Sequence, residues 1–271
     1  MSTPTKLPDR IFRDFSAFGL GLMQQVARRL APTRLRPVHI TWLFLLDGLL
    51  AAWLVRRGQR RTDRLAALLL VGKHLLDGLD GALARHQRPS RLGRYFDSIA
   101  DFVVNVALFA AVAERRGGRL RDRLLSAAGL LAMLLQGSLY NFYYVRYRHH
   151  LAGERTSLPD EREARPYPWD PPRLTRLLQR LYLLLYGWQD RLVARLDVWL
   201  TGPQAPPLPS PALMTALSTL GLGLQLAVAA ALLFFGQAAR LPQIFLGPYL
   251  LWSGLLLGWR AREARALTRS D

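Results

Sequence analysis

The chain has 271 residues, of which 51% are hydrophobic, and its 37 Lys and Arg against 19 Asp and Glu give a formal net charge of +18. The basic residues stand at the ends of long apolar runs, which favours a membrane protein in contact with anionic lipid over a nucleic-acid-binding protein. The absence of cysteine excludes disulfides and thiolate metal sites.

The N-terminal segment 1–39 is predicted to form a unit of its own at the membrane interface. It lacks the short apolar core and small-residue cleavage site of a secretory signal, so insertion is expected to begin with the first transmembrane span. Within this unit, residues 12–30 are predicted to form one amphipathic helix, because phenylalanine and leucine side chains recur between flanking arginines.

Residues 40–271 are predicted to form an all-α, polytopic membrane domain with six transmembrane helices. A helix needs about 20 mostly apolar residues to cross the hydrocarbon core. Six stretches approach that length, although the first and the last are short: 40–55, 65–84, 95–113, 124–144, 213–235 and 244–259.

A long polar insertion, about 146–210, separates the fourth predicted span from the fifth. Its first part is rich in proline, and residues 174–200 form a second amphipathic segment with Leu, Tyr and Trp at helical spacing. Arginines are interspersed along this segment, so we expect it to lie on the membrane surface rather than to cross the membrane.

The distribution of positive charge predicts the orientation of the chain. The termini and the loops on their side of the membrane carry 25 Lys and Arg residues, the opposite loops carry 11, and Lys73 lies within the second span. Because cytoplasmic loops are enriched in Lys and Arg, the termini and the loop 85–94 are expected to face the cytoplasm, in the cell inner membrane.

Two neighbouring predicted spans carry paired acids at membrane depth. Asp77 and Asp80 are three residues apart, and Asp97 and Asp101 are four apart, so each pair lies on one face of its helix. A short loop joins the two helices, so we expect an antiparallel hairpin on which the four carboxylates converge near the cytoplasmic end. Asp47, in the first span, is unpaired and is left out of the predicted site.

Four carboxylates in a partly dehydrated cluster need compensating positive charge. Oxygen ligands without cysteine or paired histidine favour Mg²⁺ or Mn²⁺ over zinc, and two divalent cations would neutralise the cluster and bind a diphosphate. Three glycines beside the acids, which disfavour helix interiors, indicate the close approach of a ligand or of another backbone: Gly78, Gly81 and Gly93. Arg85, one turn beyond Gly81, is placed to meet phosphate oxygens.

Other interpretations of the acids remain open at this point. The acids could pair with arginines in an inert network, or line the pathway of a cation transporter or channel. A transporter of that kind would distribute acids over several spans or duplicate them in two halves, and neither pattern is visible. A peripheral scaffold, as a third reading, would tolerate neutralisation of Asp77 and Asp80. His74 is interpreted as a packed or hydrogen-bonded histidine.

The residues from Asp77 to Asp101 resemble the signature of the CDP-alcohol phosphotransferase (CDP-alcohol phosphatidyltransferase) family. The pattern D-x-x-D-G-x-x-A-R is followed in this chain by G-x-x-x-D-x-x-x-D. The resemblance implies that Asp77, Asp80 and Asp97 bind metal, and that Asp101 approaches a metal and acts as the general base. It also implies that Gly81 and Arg85 hold the CDP moiety.

Further parts of the resemblance concern the substrates. Ser90 stands where similar enzymes often place a Ser or Thr that touches the donor, together with Gly78 and Gly93 in the predicted donor site. The segment Tyr144-Val145-Arg146-Tyr147-Arg148 resembles the Tyr-x-Arg-x-Arg segment of phosphatidyl-transferring members, which favours CDP-diacylglycerol as the donor.

Arg146 and Arg148 are candidates for binding a phosphorylated acceptor, although contact with lipid headgroups explains them equally well. The acceptor stays open among glycerol 3-phosphate, inositol or its phosphate, serine and a hydroxylated lipid. The family resemblance also implies a homodimer.

The chain departs from the family pattern at two places. The interval between Arg85 and Gly93 is seven residues, one shorter than in many members. Relatives often read Pro-Asn-x-x-Thr before the first span, whereas this chain has Pro37-Val38-His39-Ile40-Thr41, so the nucleotide contact of that Asn is not expected here.

Overall fold

The computed structural model describes residues 11–152, 157–202 and 208–267, and every regular element in these ranges is helical. The all-α prediction is therefore confirmed. In chain order the α-helices are α1 Leu20–Leu30, α2 Pro37–Arg57, α3 Arg60–His86, α4 Arg91–Arg115, α5 Leu120–Ala152, α6 Pro172–Tyr182, α7 Trp188–Thr201, α8 Pro211–Leu217, α9 Leu222–Phe234, α10 Leu241–Leu246 and α11 Pro248–Leu267. Short 3₁₀ turns occupy Phe15–Ala17, Glu161–Glu163, Ser218–Leu220 and Ala238–Arg240, and a π turn at Leu183–Gly187 joins α6 to α7.

Four helical stretches of the described chain are long and apolar enough to cross a membrane, or up to five if one bent pair is a single span. They are Pro37–Arg57, Arg91–Arg115, Leu120–Leu151 and Ala238–Ala266, and the pair Pro211–Leu220 and Leu222–Phe234 is bent by 43°. The second predicted span lies within α3 and is not among them, because Lys73, Asp77 and Asp80 interrupt its apolar stretch. The chain has the helices of a polytopic membrane protein, and the number of six spans stays a prediction.

The N-terminal segment differs from the single amphipathic helix predicted over 12–30. Gly19 has φ 77°, in the left-handed region that favours glycine, and it separates the 3₁₀ turn from α1. Phe12 is buried, and its ring packs edge-on against Tyr147 with the centroids 5.5 Å apart. The segment before Gly19 therefore packs on the protein. Within the predicted range 12–30, only α1 is an α-helix.

Helices α2, α3 and α4 pack closely and carry the predicted site. At Gly48 of α2, an added Cβ would lie 2.6 Å from Cγ1 of Val104 on α4, so only glycine allows this approach. One apolar core of these helices includes Val55, Leu70 and Leu108, all buried. At the end of α3 and α4 away from the site, Arg115 donates to Asp63 at 2.5 Å, which fixes the hairpin there.

The described part of the insertion is built around helices α6 and α7. Helix α5 continues to Ala152, so the predicted start of the insertion at residue 146 lies inside a helix. Helices α6 and α7 cover the predicted amphipathic segment 174–200. Thr175, Tyr182 and Val193 are buried on the side facing the protein, and exposed leucines lie between them, as an amphipathic helix requires. Its position on the membrane surface stays a prediction.

Candidate active site

Three of the four predicted carboxylates converge between α3 and α4. Asp77, Asp97 and Asp101 each offer an oxygen atom, and these oxygens all lie within 4.8 Å of one another. They form the one group of three or more Asp, Glu or His residues with metal-ligand spacing that the described part of the chain contains. The i, i+4 spacing on α4 and the antiparallel packing of α3 against it produce this convergence.

Asp80, the fourth predicted carboxylate, lies outside that group of three. Its side chain is 7% exposed, and its Oδ2 accepts a hydrogen bond of 2.5 Å from Oγ1 of Thr41 on α2. Thr41 was not predicted to contact the site. The signal for it was its place at the end of the Pro37–Thr41 segment, where relatives also have threonine.

Lys73 supplies positive charge inside the cluster. Its side chain is 1% exposed, it lies one turn before Asp77 on α3, and its ammonium donates to Oδ1 of Asp101. The ammonium also lies 4.7 Å from the centre of the Phe44 ring. One ammonium faces four carboxylates, so most of the negative charge of the site is not compensated by it.

The donor set of the site fits a divalent cation. Oδ1 of Asp97 is buried and has no hydrogen-bond partner among the described residues. Buried carboxylate oxygens are normally satisfied, and three carboxylates that meet at this spacing are typical of a site for a hard cation. The residues present therefore agree with the metal that the sequence predicted.

A cavity of about 1310 Å³ opens on these carboxylates. Nine of its lining residues are the predicted metal and donor residues, and Arg148 is a tenth: Asp77, Gly78, Asp80, Gly81, Arg85, Ser90, Gly93, Asp97, Asp101 and Arg148. The structure thus brings all but one of the predicted site residues to one cavity.

Arg146 is the exception. It lines a separate cavity of about 270 Å³ with Asp190, and its guanidinium packs 3.4 Å from the centre of the Phe142 ring. Residues two apart on a helix point about 200° apart, so Arg146 and Arg148 face different sides of α5. The prediction that both arginines face the acceptor is therefore not supported for Arg146.

The glycines beside the acids leave room in the cavity. An added Cβ would lie 3.7 Å from Cγ of Met23 at Gly78 and 3.6 Å from Nη1 of Arg85 at Gly81. Both distances are ordinary van der Waals contacts. Packing within the protein therefore does not require glycine at either position.

Ser90 has a structural role that the sequence did not reveal. It is the N-cap of α4: its Oγ accepts from the backbone N–H of Gly93 at 3.0 Å. The same hydroxyl donates to Oδ1 of Asp170 at 2.7 Å. Asp170, in the insertion, is thus a cavity residue that no local pattern had singled out.

Helix α5 and the N-terminal segment form another wall of the cavity, of which the sequence had indicated only the end of α5 around Arg148. Tyr144 and Tyr140 lie four and eight residues before Arg148 on α5, so all three share the face that lines the cavity. The hydroxyl of Tyr140 donates to Oδ2 of Asp14 at 2.8 Å. The i, i+4 spacing of these polar residues was the only local signal.

His74 is held by the same N-terminal segment. Its Nε2 lies 3.1 Å from the carbonyl oxygen of Phe18, and the two rings are 4.0 Å apart. The interpretation of His74 as a packed and hydrogen-bonded residue agrees with these contacts.

Asp190, on α7, lies between the two cavities and lines both. Burial raises the pKa of its carboxyl to about 6, and the guanidinium of Arg94 opposes this effect. Among the acids outside the spanning helices it is therefore one whose charge changes in the mildly acidic range.

Comparison with known proteins agrees with the signature. The family model described as CDP-alcohol phosphatidyltransferase matches residues 34–205. This range includes α2, α3, α4 and α5 and ends within the insertion, after α7. A search of curated proteins finds no match.

Proposed function

Because this chain belongs to the CDP-alcohol phosphatidyltransferase family, we propose that it transfers a phosphatidyl group from CDP-diacylglycerol to a hydroxyl acceptor and releases CMP. Transfer of a phosphoalcohol group from a CDP-alcohol in lipid synthesis is the activity of the family. The observation that carries the proposal is the convergence of Asp77, Asp97 and Asp101 in one cavity between α3 and α4.

The proposed cofactor is a pair of divalent cations, Mg²⁺ or Mn²⁺, held by Asp77, Asp80, Asp97 and Asp101. When bound, they would neutralise the diphosphate of the donor and polarise the phosphorus that is attacked. The oxygen of Asp97 that has no hydrogen-bond partner supports this assignment. Asp80 keeps Oδ1 for this role, since the hydrogen bond from Thr41 goes to Oδ2.

The nucleotide end of the donor is proposed to bind beside Gly78, Gly81, Arg85, Ser90 and Gly93. The space left by the two glycines of α3 supports this placement, because it is not used by packing. Arg85 brings a planar cation with several donors, which suits phosphate oxygens.

Asp101 is proposed as the general base. It accepts the proton of the acceptor hydroxyl while the acceptor oxygen bonds to the phosphorus and the bond from that phosphorus to the CMP oxygen breaks. Lys73 holds one carboxylate oxygen of Asp101, so the proton goes to the other oxygen. The ammonium favours the carboxylate form of Asp101 and orients it before the acceptor arrives.

The acceptor is proposed to approach from the α5 side, where Arg148 lines the cavity and Arg146 does not. A cation at this position favours a phosphorylated acceptor over serine. Location in the inner membrane with the cavity facing the cytoplasm, and assembly as a homodimer, belong to the same proposal and rest on charge distribution and family membership.

The direct test is CMP release from CDP-diacylglycerol by the purified chain in mixed micelles. Each acceptor is offered in turn, with Mg²⁺, with Mn²⁺ and with a chelator. We expect CMP to appear only with a cation and one class of acceptor. Absence of CMP with every acceptor would overturn the proposal, and cation flux in proteoliposomes without CMP release would support a transporter instead.

A further inference from the structure

Four prolines of the insertion belong to a segment, residues 157–171, that packs on the loop between α3 and α4; we call it the clamp segment. Nε1 of Trp169 donates to the carbonyl oxygen of Pro89 at 2.8 Å. The Trp169 ring stacks on Tyr167, with centroids 5.1 Å apart and planes at 6°. The guanidinium of Arg88 lies 5.8 Å from the centre of the Trp169 ring.

Asp170 is the buried centre of these contacts. Its side chain is 6% exposed, and its carboxylate accepts from Oγ of Ser90 at 2.7 Å and from the backbone N–H of Arg91 at 2.9 Å. A third, longer bond of 3.4 Å comes from the backbone N–H of Tyr167. A negative charge at the start of α4 is also favoured by the helix dipole.

A second buried acid fixes the other end of the clamp segment. Glu161 is 4% exposed and accepts from the hydroxyl of Tyr95 at 2.9 Å, and its Oε1 lies 3.0 Å from Nη1 of Arg94. The backbone N–H of Leu158 also donates to Glu161 at 2.6 Å. The clamp segment is therefore tied to the first two turns of α4 at both ends.

These contacts decide what the hydroxyl of Ser90 can offer a ligand. A carboxylate that also receives two backbone N–H groups accepts hydrogen bonds, so the Ser90 proton points to Asp170. One lone pair of Oγ receives the N–H of Gly93. The remaining lone pair of Oγ can accept a hydrogen bond from an N–H or O–H group of a ligand. Because the proton of the hydroxyl is engaged by Asp170, the hydroxyl cannot donate to a phosphate.

We propose that Asp170 is a positioning residue for the nucleotide end of the donor: it holds Ser90 as a hydrogen-bond acceptor facing the cavity and fixes the first turn of α4. This inference rests on the proposed function. The ligand group that hydrogen-bonds to Ser90 is therefore a donor, an amine or hydroxyl of the nucleoside, rather than a phosphate oxygen. Trp169, Asp170 and Pro171 line the same cavity as the carboxylates, which places the clamp segment at the donor.

The test compares the variants D170A and D170N with D160N in CMP release. Asp160 is the matched control, because it lies in the same segment, is half-exposed, and its carboxylate accepts hydrogen bonds from Arg162 rather than from α4. Removing Asp170 leaves Oγ of Ser90 and a buried N–H without their acceptor, so we expect a rise of roughly tenfold in the KM for CDP-diacylglycerol. The KM for the acceptor should stay the same, and D160N should match the wild type.

Coupling to Ser90 is measured with S90A and the double variant S90A/D170A. If Asp170 acts through Ser90, D170A raises the donor KM much less in the S90A background than in the wild type. Additive effects, or a rise in the KM for both substrates alike, would overturn the inference. D170N, which keeps the shape and one acceptor oxygen, carries the test if D170A does not fold, and an unchanged donor KM in D170N would then count against the inference.

The two proposals can fail separately. A wild-type chain that releases no CMP with any acceptor refutes the proposed function. A wild-type chain that is active, with D170A and D170N indistinguishable from D160N, refutes only the role of Asp170.

Discussion

At the scale of single residues, Asp101 combines two environments. It belongs to the group of three converging carboxylates, and it also receives the ammonium of Lys73, which is itself almost fully buried. Neither contact by itself would identify Asp101 as the general base. The ammonium orients the carboxylate, and the two neighbouring acids place it at the proposed metal site.

Replacing Asp101 with Asn tests its role as the base. The amide keeps an oxygen for Lys73 but cannot take a proton, so we expect CMP release to fall by about 10² to 10⁴-fold. Binding of CDP-diacylglycerol, measured by titration in micelles, should change little. The exposed Glu163, replaced with Gln, serves as the control. Turnover of D101N near that of the wild type would reject the assignment.

Asp190 gives a prediction about pH. Its folded pKa of about 6 is above the ordinary 3.8, so its contribution to stability is complete below about pH 4 and is lost as the pH rises through about 6. Replacement with Asn removes this loss. We expect the Tm of D190N to exceed that of the wild type above about pH 6, and the difference to shrink toward about pH 4. Thermal unfolding in detergent at several pH values measures it, and a difference independent of pH would contradict it.

At the scale of elements, the N-terminal segment before α1 is a wall of the cavity. Three of its polar groups form hydrogen bonds with residues far away in the sequence. The backbone N–H of Arg13 donates to Oγ1 of Thr215 at 3.1 Å, and that of Phe15 donates to Oγ of Ser218 at 2.9 Å. The carboxylate of Asp14 accepts from the hydroxyl of Tyr140. The close approach of this segment to α9 depends on Gly223.

The variant G223A tests this packing. An added Cβ at Gly223 would clash with the carbonyl oxygen of Ser16 and with the His74 ring. Such overpacking costs about 1–3 kcal/mol, and because the added Cβ would meet a backbone oxygen we expect a cost above the gain of roughly 1 kcal/mol from alanine in a helix. We therefore expect a lower Tm and faster trypsin cleavage at Arg13.

The matched control for this prediction is G254A, because an added Cβ at Gly254 of α11 meets nothing within 4 Å. This variant should be neutral or slightly stabilised. Equal behaviour of the two variants would show that the segment does not depend on its contact with Gly223.

At the scale of the whole molecule, the distribution of Lys and Arg predicts which side of the membrane the cavity faces. Arg173 lies at the start of α6, beside the clamp segment, and Arg119 lies just before α5, near the opposite end of the 25-residue helix α4. A helix of that length spans about 37 Å, so the two positions are predicted to lie near opposite faces of the membrane.

The chain contains no cysteine, so single cysteines can be introduced and labelled without background. In intact cells treated with a membrane-impermeant maleimide, R119C should be labelled and R173C should be protected until the membrane is opened. The reverse pattern would place the cavity on the outer side and overturn the predicted orientation.

The sequence alone identified the residues whose relation is local. Asp77 with Asp80, and Asp97 with Asp101, share helix faces because helical periodicity depends only on spacing. The same rule separates Arg148 from Arg146, although this consequence was not used in predicting the acceptor site. The all-α class and the apolar helices also follow from local composition.

The tertiary structure decided the contacts between residues far apart in the chain. Thr41 with Asp80, Lys73 with Asp101, Ser90 with Asp170 and Tyr140 with Asp14 are 39, 28, 80 and 126 residues apart. It also decided that the segment before Gly19 packs inward and that the 211–234 pair bends between Leu220 and Leu222. Such contacts depend on how helices pack against one another, and the spacing of residues within one helix carries no information about the partner that its face will meet.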